Sequence, residues 1–219
     1  MIKARKEVSK LTIERMAVYY NTLMKMKEEE GVEICASTQL GENTGIASSV
    51  IRRDLACFGG FGRKGVGYDV DFLLSWIQEI LGYNTEWNVL LVGIDIPVTG
   101  IVSYYSFLPP GFKITAVIDL DKNNRGYTFP AYNLAIQPLE NLKTVIKKQD
   151  IAIGFINVPP KQAQKVVTMM VKAGIRGIAN FSSVPVAVPE HVFLSQVNVA
   201  SCLSQLSYSL RTGIADGYL

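Results

Sequence analysis

Beyond residue 85 the chain alternates between two kinds of segment. Short apolar runs at 89–93, 114–119, 151–158, 177–180 and 192–197 are separated by stretches such as 139–148 and 161–173, whose apolar residues recur at helical spacing. Runs rich in Val, Ile and Leu are those of strands buried on both sheet faces, and parallel neighbours need the crossover that a helix supplies. The alternation predicts an α/β unit, a parallel sheet covered by helices on both faces. One more helical stretch, 201–211, follows the last strand, and its stripe of Cys202, Leu203, Leu206 and Leu210 has no sheet left to cover. That stripe predicts packing against a partner subunit.

The first 84 residues follow another pattern. Ile13, Met16, Ala17, Tyr20, Leu23 and Met24 make one apolar face of a helix spanning 12–29, with Thr12 as its N-cap and Gly31 as its stop. A second helix is expected from Ser37 and a third over 45–58. Five glycines, Gly59, Gly60, Gly62, Gly65 and Gly67, then predict a tight hairpin with Arg63 and Lys64 at its tip. Three helices followed by a basic hairpin is the order of a winged helix-turn-helix. A further amphipathic helix at 71–81 and a polar linker at 82–86 lead into the α/β unit. The expected domains are therefore 1–84, 85–198 and a dimerisation helix at 199–219.

Charge supports a nucleic-acid role locally rather than globally. The net charge of +3 is small, and acidic and basic residues balance over the first 84 positions. Within 44–68, however, the charged residues are Arg52, Arg53, Asp54, Arg63 and Lys64, which is the focused patch that groove docking requires. On the third helix Ser48, Ser49, Arg52 and Arg53 are expected to face outward while Val50, Ile51, Leu55 and Phe58 hold it down. Arginine donates two hydrogen bonds to guanine O6 and N7 in the major groove, and a basic wing enters the minor groove. The plain structural alternative pairs Arg52 and Arg53 with surface acids such as Asp54.

In the α/β unit, the turn VLLVGIDIPVTGIVSYY stands where a dinucleotide fingerprint belongs. Such a turn needs one glycine to bend, a second to let backbone approach the pyrophosphate and a third for helix–strand packing. Here the three positions are Gly93, Asp95 and Val98. A carboxylate about 4 Å from a phosphate charge is repelled by about 1 kcal/mol in water and by several times that where partly buried. With Ile96 and Pro97 opening the helix, Asp95 lies beside the positive helix end and is expected either to fill the anion site itself or simply to cap the helix. Asp119, at the end of the next strand, stands where an acid holds ribose hydroxyls, and Asp121 follows it. Asn157, Val158 and Pro159, with Pro160, form the tip of a later strand on the same edge.

Several chemistries find no support. His191 is the single histidine, and Cys35, Cys57 and Cys202 lack the spacing of a zinc site or disulfide framework, so they are read as buried thiols. No catalytic residue and no metal ligand is assigned. The absence of an ~18-residue apolar run and of an apolar leader core predicts a soluble, cytoplasmic protein with no membrane partner.

The motifs IRRDLACFGGFGRKGVGY, WNVLLVG, AVIDLD, VPP, GIRGIANF and VPEHV, in that order, resemble the Rex family of redox-sensing transcriptional repressors over nearly the whole chain. The resemblance implies a homodimer on a palindromic operator, with a winged helix, an NAD(H)-binding Rossmann domain and an exchanged final helix; rising NADH would release the DNA. It also implies a relay from an arginine of the first helix, a tyrosine after the glycine turn and an aspartate of the partner. Arg15 and Tyr104 match the first two, whereas the third position is Asn198. The sequence ANFSS likewise departs from the family's proline-containing motif near the nicotinamide. Asp95, Val98 and Asn198 together predict a Rex-type repressor with NAD(H) control weakened or lost. The alternatives are a genuine NADH- and NAD-responsive repressor with a remodelled phosphate turn, or a Rossmann-type nucleotide-binding enzyme.

Overall fold

The computed structural model describes residues 8–59, 62, 65–94, 108–129 and 132–213. The chain divides into two compact units, the first ending at Asn84 and the second starting at Thr85. Neither contains, among the described residues, a helix long and apolar enough to cross a membrane.

The first unit is built on α1 (Lys10–Glu30), β1 (Ile34–Cys35), α2 (Ser37–Thr44), α3 (Ser48–Ala56), β2 (Tyr68–Asp69) and α4 (Val70–Leu81). Helix α1 begins earlier than its apolar pattern indicates, because Ser9 rather than Thr12 is the N-cap and accepts from the Thr12 amide at 3.1 Å. Its inner face is also rotated from the expected one. Ile13 is exposed, whereas Met16, Tyr19, Tyr20, Leu23 and Met26 are buried together with Thr12 and Arg15. The apolar residues among them form a core with Leu40, Ile51, Leu55, Leu73 and Ile77, where a Leu, Ile or Met side chain contributes about 1.5–3 kcal/mol on full burial. Helix α3 starts at Ser48, three residues after the expected Gly45, since Gly45 is the left-handed C-cap of α2.

The strand that follows the glycine-rich segment pairs with a distant stretch of the chain. Tyr68–Asp69 pairs antiparallel with Ile34–Cys35, a strand too short to announce itself in the sequence. Gly67 permits this approach: its φ is +116°, and a Cβ there would lie 2.8 Å from the Cys35 carbonyl oxygen. Arg63 and Lys64 lie outside the described residues.

The second unit holds β3 (Trp87–Val92), β4 (Phe112–Asp119), β5 (Thr128–Phe129), β6 (Leu134–Pro138), α5 (Leu142–Lys148), β7 (Ile153–Ile156), α6 (Pro160–Ala173), β8 (Gly177–Asn180), β9 (Phe193–Gln196) and α7 (Val199–Thr212). The strands form one sheet in the order β5-β6-β4-β3-β7-β8-β9. All neighbours are parallel except β5 with β6, so the expected parallel sheet carries an antiparallel edge. With that edge set aside, counting from β3 gives the doubly wound order 3-2-1-4-5-6, whose switch point lies between β3 and β7.

Helices α5 and α6 bury Leu142, Val145, Ile146, Val166, Val167 and Met170 against one face of the sheet. On the other face Val89, Leu91, Ile114, Val117 and Ile136 form a second core, packed by half-buried residues such as Tyr132, Phe155 and Phe181. No described helix covers that face; residues 95–107 lie outside the description.

Candidate nucleic-acid interface and nucleotide-binding edge

On α3 the apolar and charged residues separate as helical geometry requires. Ile51 and Leu55 are buried, Val50 and Phe58 pack partly against the same core, Ser48 is half-buried, and Ser49, Arg52 and Arg53 are exposed. Arg52 is held across two helix starts. Its Nη1 donates to Ser37 Oγ at 3.0 Å and to Ser48 Oγ at 3.3 Å. Two fixed contacts at one end of the guanidinium reduce the rotamer freedom lost when the rest engages a ligand.

Asp54 overturns the idea of a surface ion pair with Arg52 or Arg53. It is 1% exposed and faces α1, not its arginine neighbours. Arg15, itself 6% exposed, donates from Nε to Asp54 Oδ2 at 2.6 Å and from Nη2 to Oδ1 at 2.8 Å. Tyr19 Oη donates to Oδ2 at 2.8 Å and Thr12 Oγ1 to Oδ1 at 3.3 Å. A buried carboxylate with every partner in place is tolerable where an unpaired one is not. The Asp54 hydrogen bond holds the Arg15 guanidinium more firmly protonated against the opposing effect of burial. Burial, then the hydrogen bond to Asp54, pushes the Tyr19 hydroxyl well above its ordinary range, so Tyr19 remains a neutral donor. The one acid within 44–68 is thus neutralised inside the unit. Sequence reasoning placed Arg15 in a relay and missed its bond to Asp54; an isolated acid inside a basic patch was the available signal.

The cysteines differ from the expected set of buried thiols. Cys35 is buried, and burial raises its pKa. Cys57 is half-buried and Cys202 exposed, as are nearly all the described residues of α7.

At the switch point of the sheet, Gly93 and Asn157 come together. Gly93 follows β3 with a φ of +85°, and a Cβ there would lie 2.1 Å from the Asn157 carbonyl oxygen. The Asn157 amide in turn donates to the Val92 carbonyl at 2.9 Å. The bend that opens a dinucleotide site is therefore kept. Asp119 closes β4, its Oδ1 accepting from the Asp121 amide at 3.2 Å and its Oδ2 from Asn124 Nδ2 at 2.6 Å. Each oxygen retains a second acceptor site for a ribose hydroxyl. Asp121 caps the short 3-10 turn that follows, accepting from the Asn123 amide.

Val158 is buried, and its amide and carbonyl both bond the Ser182 hydroxyl. Pro159 precedes α6, where Pro160 occupies the first turn. Asn180 and Gln196 complete this wall: Asn180 Nδ2 donates to Gln196 Oε1 at 2.7 Å, and Gln196 Nε2 to the Ser182 carbonyl at 3.1 Å. Asn198 is exposed and caps α7, its Oδ1 accepting from the Ser201 amide at 3.1 Å. Asp95, Ile96 and Tyr104 lie outside the described residues. The ribose end and first bend suit a dinucleotide.

A cavity of about 590 Å³ lined by Asn88, Phe112, Ile114, Thr115 and Gln149 lies at the amino-terminal ends of β3 and β4, at the other end of the sheet from Gly93. It is not the nucleotide crevice. Among the described residues no group of three or more His, Cys, Asp or Glu is placed to hold a metal ion.

Comparison with known proteins agrees with this layout. Residues 7–56 match the family described as "Putative DNA-binding protein N-terminus", and residues 84–184 match "CoA binding domain". The redox-sensing transcriptional repressor Rex of Syntrophobacter fumaroxidans is 36% identical over 92% of this chain and 95% of its own length. The chain belongs to the Rex family. The Rex repressor of Pelotomaculum thermopropionicum is 37% identical over 93% of this chain and 94% of its own. Among solved structures, the Rex-family repressor RSP in complex with β-NAD+ and operator DNA superposes with a TM-score of 0.86 at 30% identity, covering 95% of both chains. RSP in complex with β-NADH gives 0.82 at 29% identity, covering 95% of this chain and 97% of its own. These curated relatives are redox-sensing transcriptional repressors, and RSP is seen with β-NAD+ and operator DNA.

Proposed function

We propose that this chain is a dimeric, operator-binding repressor in which α3 reads the major groove and NAD(H) control is weakened or lost. The observation that carries the DNA reading is the separation of charge on α3: Arg52 and Arg53 exposed, Asp54 withdrawn and neutralised. Ser49 and Arg52 sit beside the base edges, Ser48 and Arg53 reach flanking phosphates, and Arg63 and Lys64 on the wing enter the minor groove. Residues 1–84 make the DNA-binding domain, 85–198 the Rossmann-like domain and 199–219 the dimerisation segment; the site of action is the cytoplasm. Binding to a palindromic duplex is expected to fall steeply with salt, as several neutralised phosphates require. A flat salt dependence would instead favour a nucleotide-binding enzyme.

Dimerisation is supported by the apolar surface of α7. Leu203, Leu206, Tyr208 and Leu210 are exposed, Leu210 to 86%, and Phe193 on the edge strand β9 to 79%. Such a surface on a 14-residue helix calls for a partner of its own kind. Deletion of residues 201–219 is expected to give a monomer by sedimentation; a stable dimer after deletion would assign the interface elsewhere.

The weakened cofactor control is supported by Asp95 and Val98 in place of the second and third fingerprint glycines, and by Asn198, whose neutral amide forms no ion pair with an arginine such as Arg15. If NAD(H) binds at all, Gly93, Asp95, Ile96, Asp119, Asp121, Asn157, Val158 and Pro159 line its site. Calorimetric titration with NADH and then NAD is expected to give no detectable heat at millimolar cofactor, and Asp95→Gly to tighten binding about tenfold or more, the equivalent of about 1.4 kcal/mol. Micromolar binding by the unaltered protein would establish the second reading, a redox-responsive repressor with a remodelled phosphate turn, which the retained Gly93 bend and Asp119 favour.

A further inference from the structure

The helix that carries Arg52 and Arg53 is fastened to its unit by charge as well as by apolar packing. Helix α3 is nine residues long, and Ile51 and Leu55 are its fully buried apolar anchors. Apolar burial is non-directional, so these two anchors one turn apart, with Val50 and Phe58 packed only partly beside them, set the roll of the helix about its own axis only loosely. Asp54 adds the missing direction. It receives four hydrogen bonds from three residues of α1, with Arg15 spanning both carboxylate oxygens. Thr12, Arg15 and Tyr19 occupy one stripe of a 21-residue helix whose core contacts are extensive. The fork geometry of an arginine–carboxylate pair tolerates little rotation.

We propose that Asp54 is a positioning residue for DNA reading: its bonds to Arg15, Tyr19 and Thr12 set the roll of α3 and thereby the direction in which Arg52 faces the base edges. The inference rests on the DNA-binding reading above. Base-edge contacts depend on direction, whereas attraction to phosphates depends mainly on the amount of charge. A helix that rolls a few tens of degrees keeps its phosphate attraction and loses its sequence discrimination. Asp54 also follows Arg53 directly in sequence, so a carboxylate released from Arg15 would offer the neighbouring guanidinium a competing partner.

The test uses the full-length protein, a duplex selected by it from a random pool, and a scrambled duplex of the same length, at several salt concentrations and below the measured Tm. Asp54→Asn keeps the shape and removes the charge. It is expected to weaken binding to the selected duplex at least tenfold, to leave the scrambled duplex within about twofold, and to leave the salt slope unchanged. A residue that only stabilises the fold would move Tm without moving the ratio of the two affinities, so an unchanged ratio in folded Asp54→Asn overturns the proposal. Should that variant fail to fold, Arg15→Lys retains the charge without the fork; at least a threefold loss of ratio is expected, and a retained ratio overturns the proposal. The double variant Arg15→Met, Asp54→Leu replaces the pair with apolar side chains, which commonly preserves stability. Its expected phenotype is a folded protein with a reduced ratio, and full recovery of the ratio would show that the pair merely fills space. If the unaltered protein enriches no sequence from the pool, the DNA reading itself falls, and Arg52→Ala will then bind random duplexes as the parent does.

Discussion

Replacing Gly93 by alanine is expected to destabilise the α/β unit by several kcal/mol, enough to lower Tm by more than about 5 °C or to prevent folding. Two costs combine. The residue has a φ of +85°, a conformation that costs an L-residue roughly 1–2 kcal/mol. The larger cost is steric, because the added Cβ would sit 2.1 Å from the Asn157 carbonyl oxygen and 2.8 Å from its carbonyl carbon. Neither atom is the end of a flexible side chain. The Asn157 segment is tied to β3 by the bond from its own amide to the Val92 carbonyl, so relief would require separating β3 from β7 at the switch point. Gly154→Ala is a useful contrast. Its Cβ would meet the Met170 terminal methyl at 2.0 Å, but a methionine can rotate away. Thermal unfolding of both variants should rank Gly93→Ala as much the worse; equal and small losses would show that the turn is more compliant than its contacts imply.

That same turn shows how much the sequence discloses. The strands β3, β4 and β7 are legible as dense apolar runs bounded by polar or turn residues, β8 is read at its observed limits, Gly177–Asn180, and β9 is read from Val192, Phe193, Leu194 and Val197 although all four of its residues are exposed. Strand β6 escapes because Leu134–Pro138 ends in proline and is too short to show a period, and β5 and β1 have two residues each. The rotation of α1 has a sharper cause. Apolar periodicity counts Ile13 as inward and passes over Arg15, because charged residues are seldom buried. Here Arg15 is inside since Asp54 meets it there, and the pairing spans 39 positions of chain. No local pattern carries such a contact. The DNA-facing residues are legible for the opposite reason: their chemistry is local to one short helix and its flanking glycines.

Replacing Arg52 or Arg53 by alanine is expected to cost about 1–3 kcal/mol of specific DNA binding wherever the residue reads guanine, roughly five- to 150-fold in Kd. The two need not behave alike. Arg52 is pre-positioned by Ser37 and Ser48, at 3.0 and 3.3 Å, and a guanidinium already restrained on one side loses less entropy on binding a base edge. Arg52→Ala should therefore weaken the selected duplex far more than a scrambled one. Arg53, beside Asp54 on α3, is expected to act on the phosphate backbone, so Arg53→Ala should weaken both duplexes alike and reduce the salt slope by about one. Measuring both affinities for both variants across salt separates the roles. Equal effects on the two duplexes from Arg52→Ala would move base reading elsewhere on the surface. Operator affinity unchanged in both variants would remove α3 from the groove altogether.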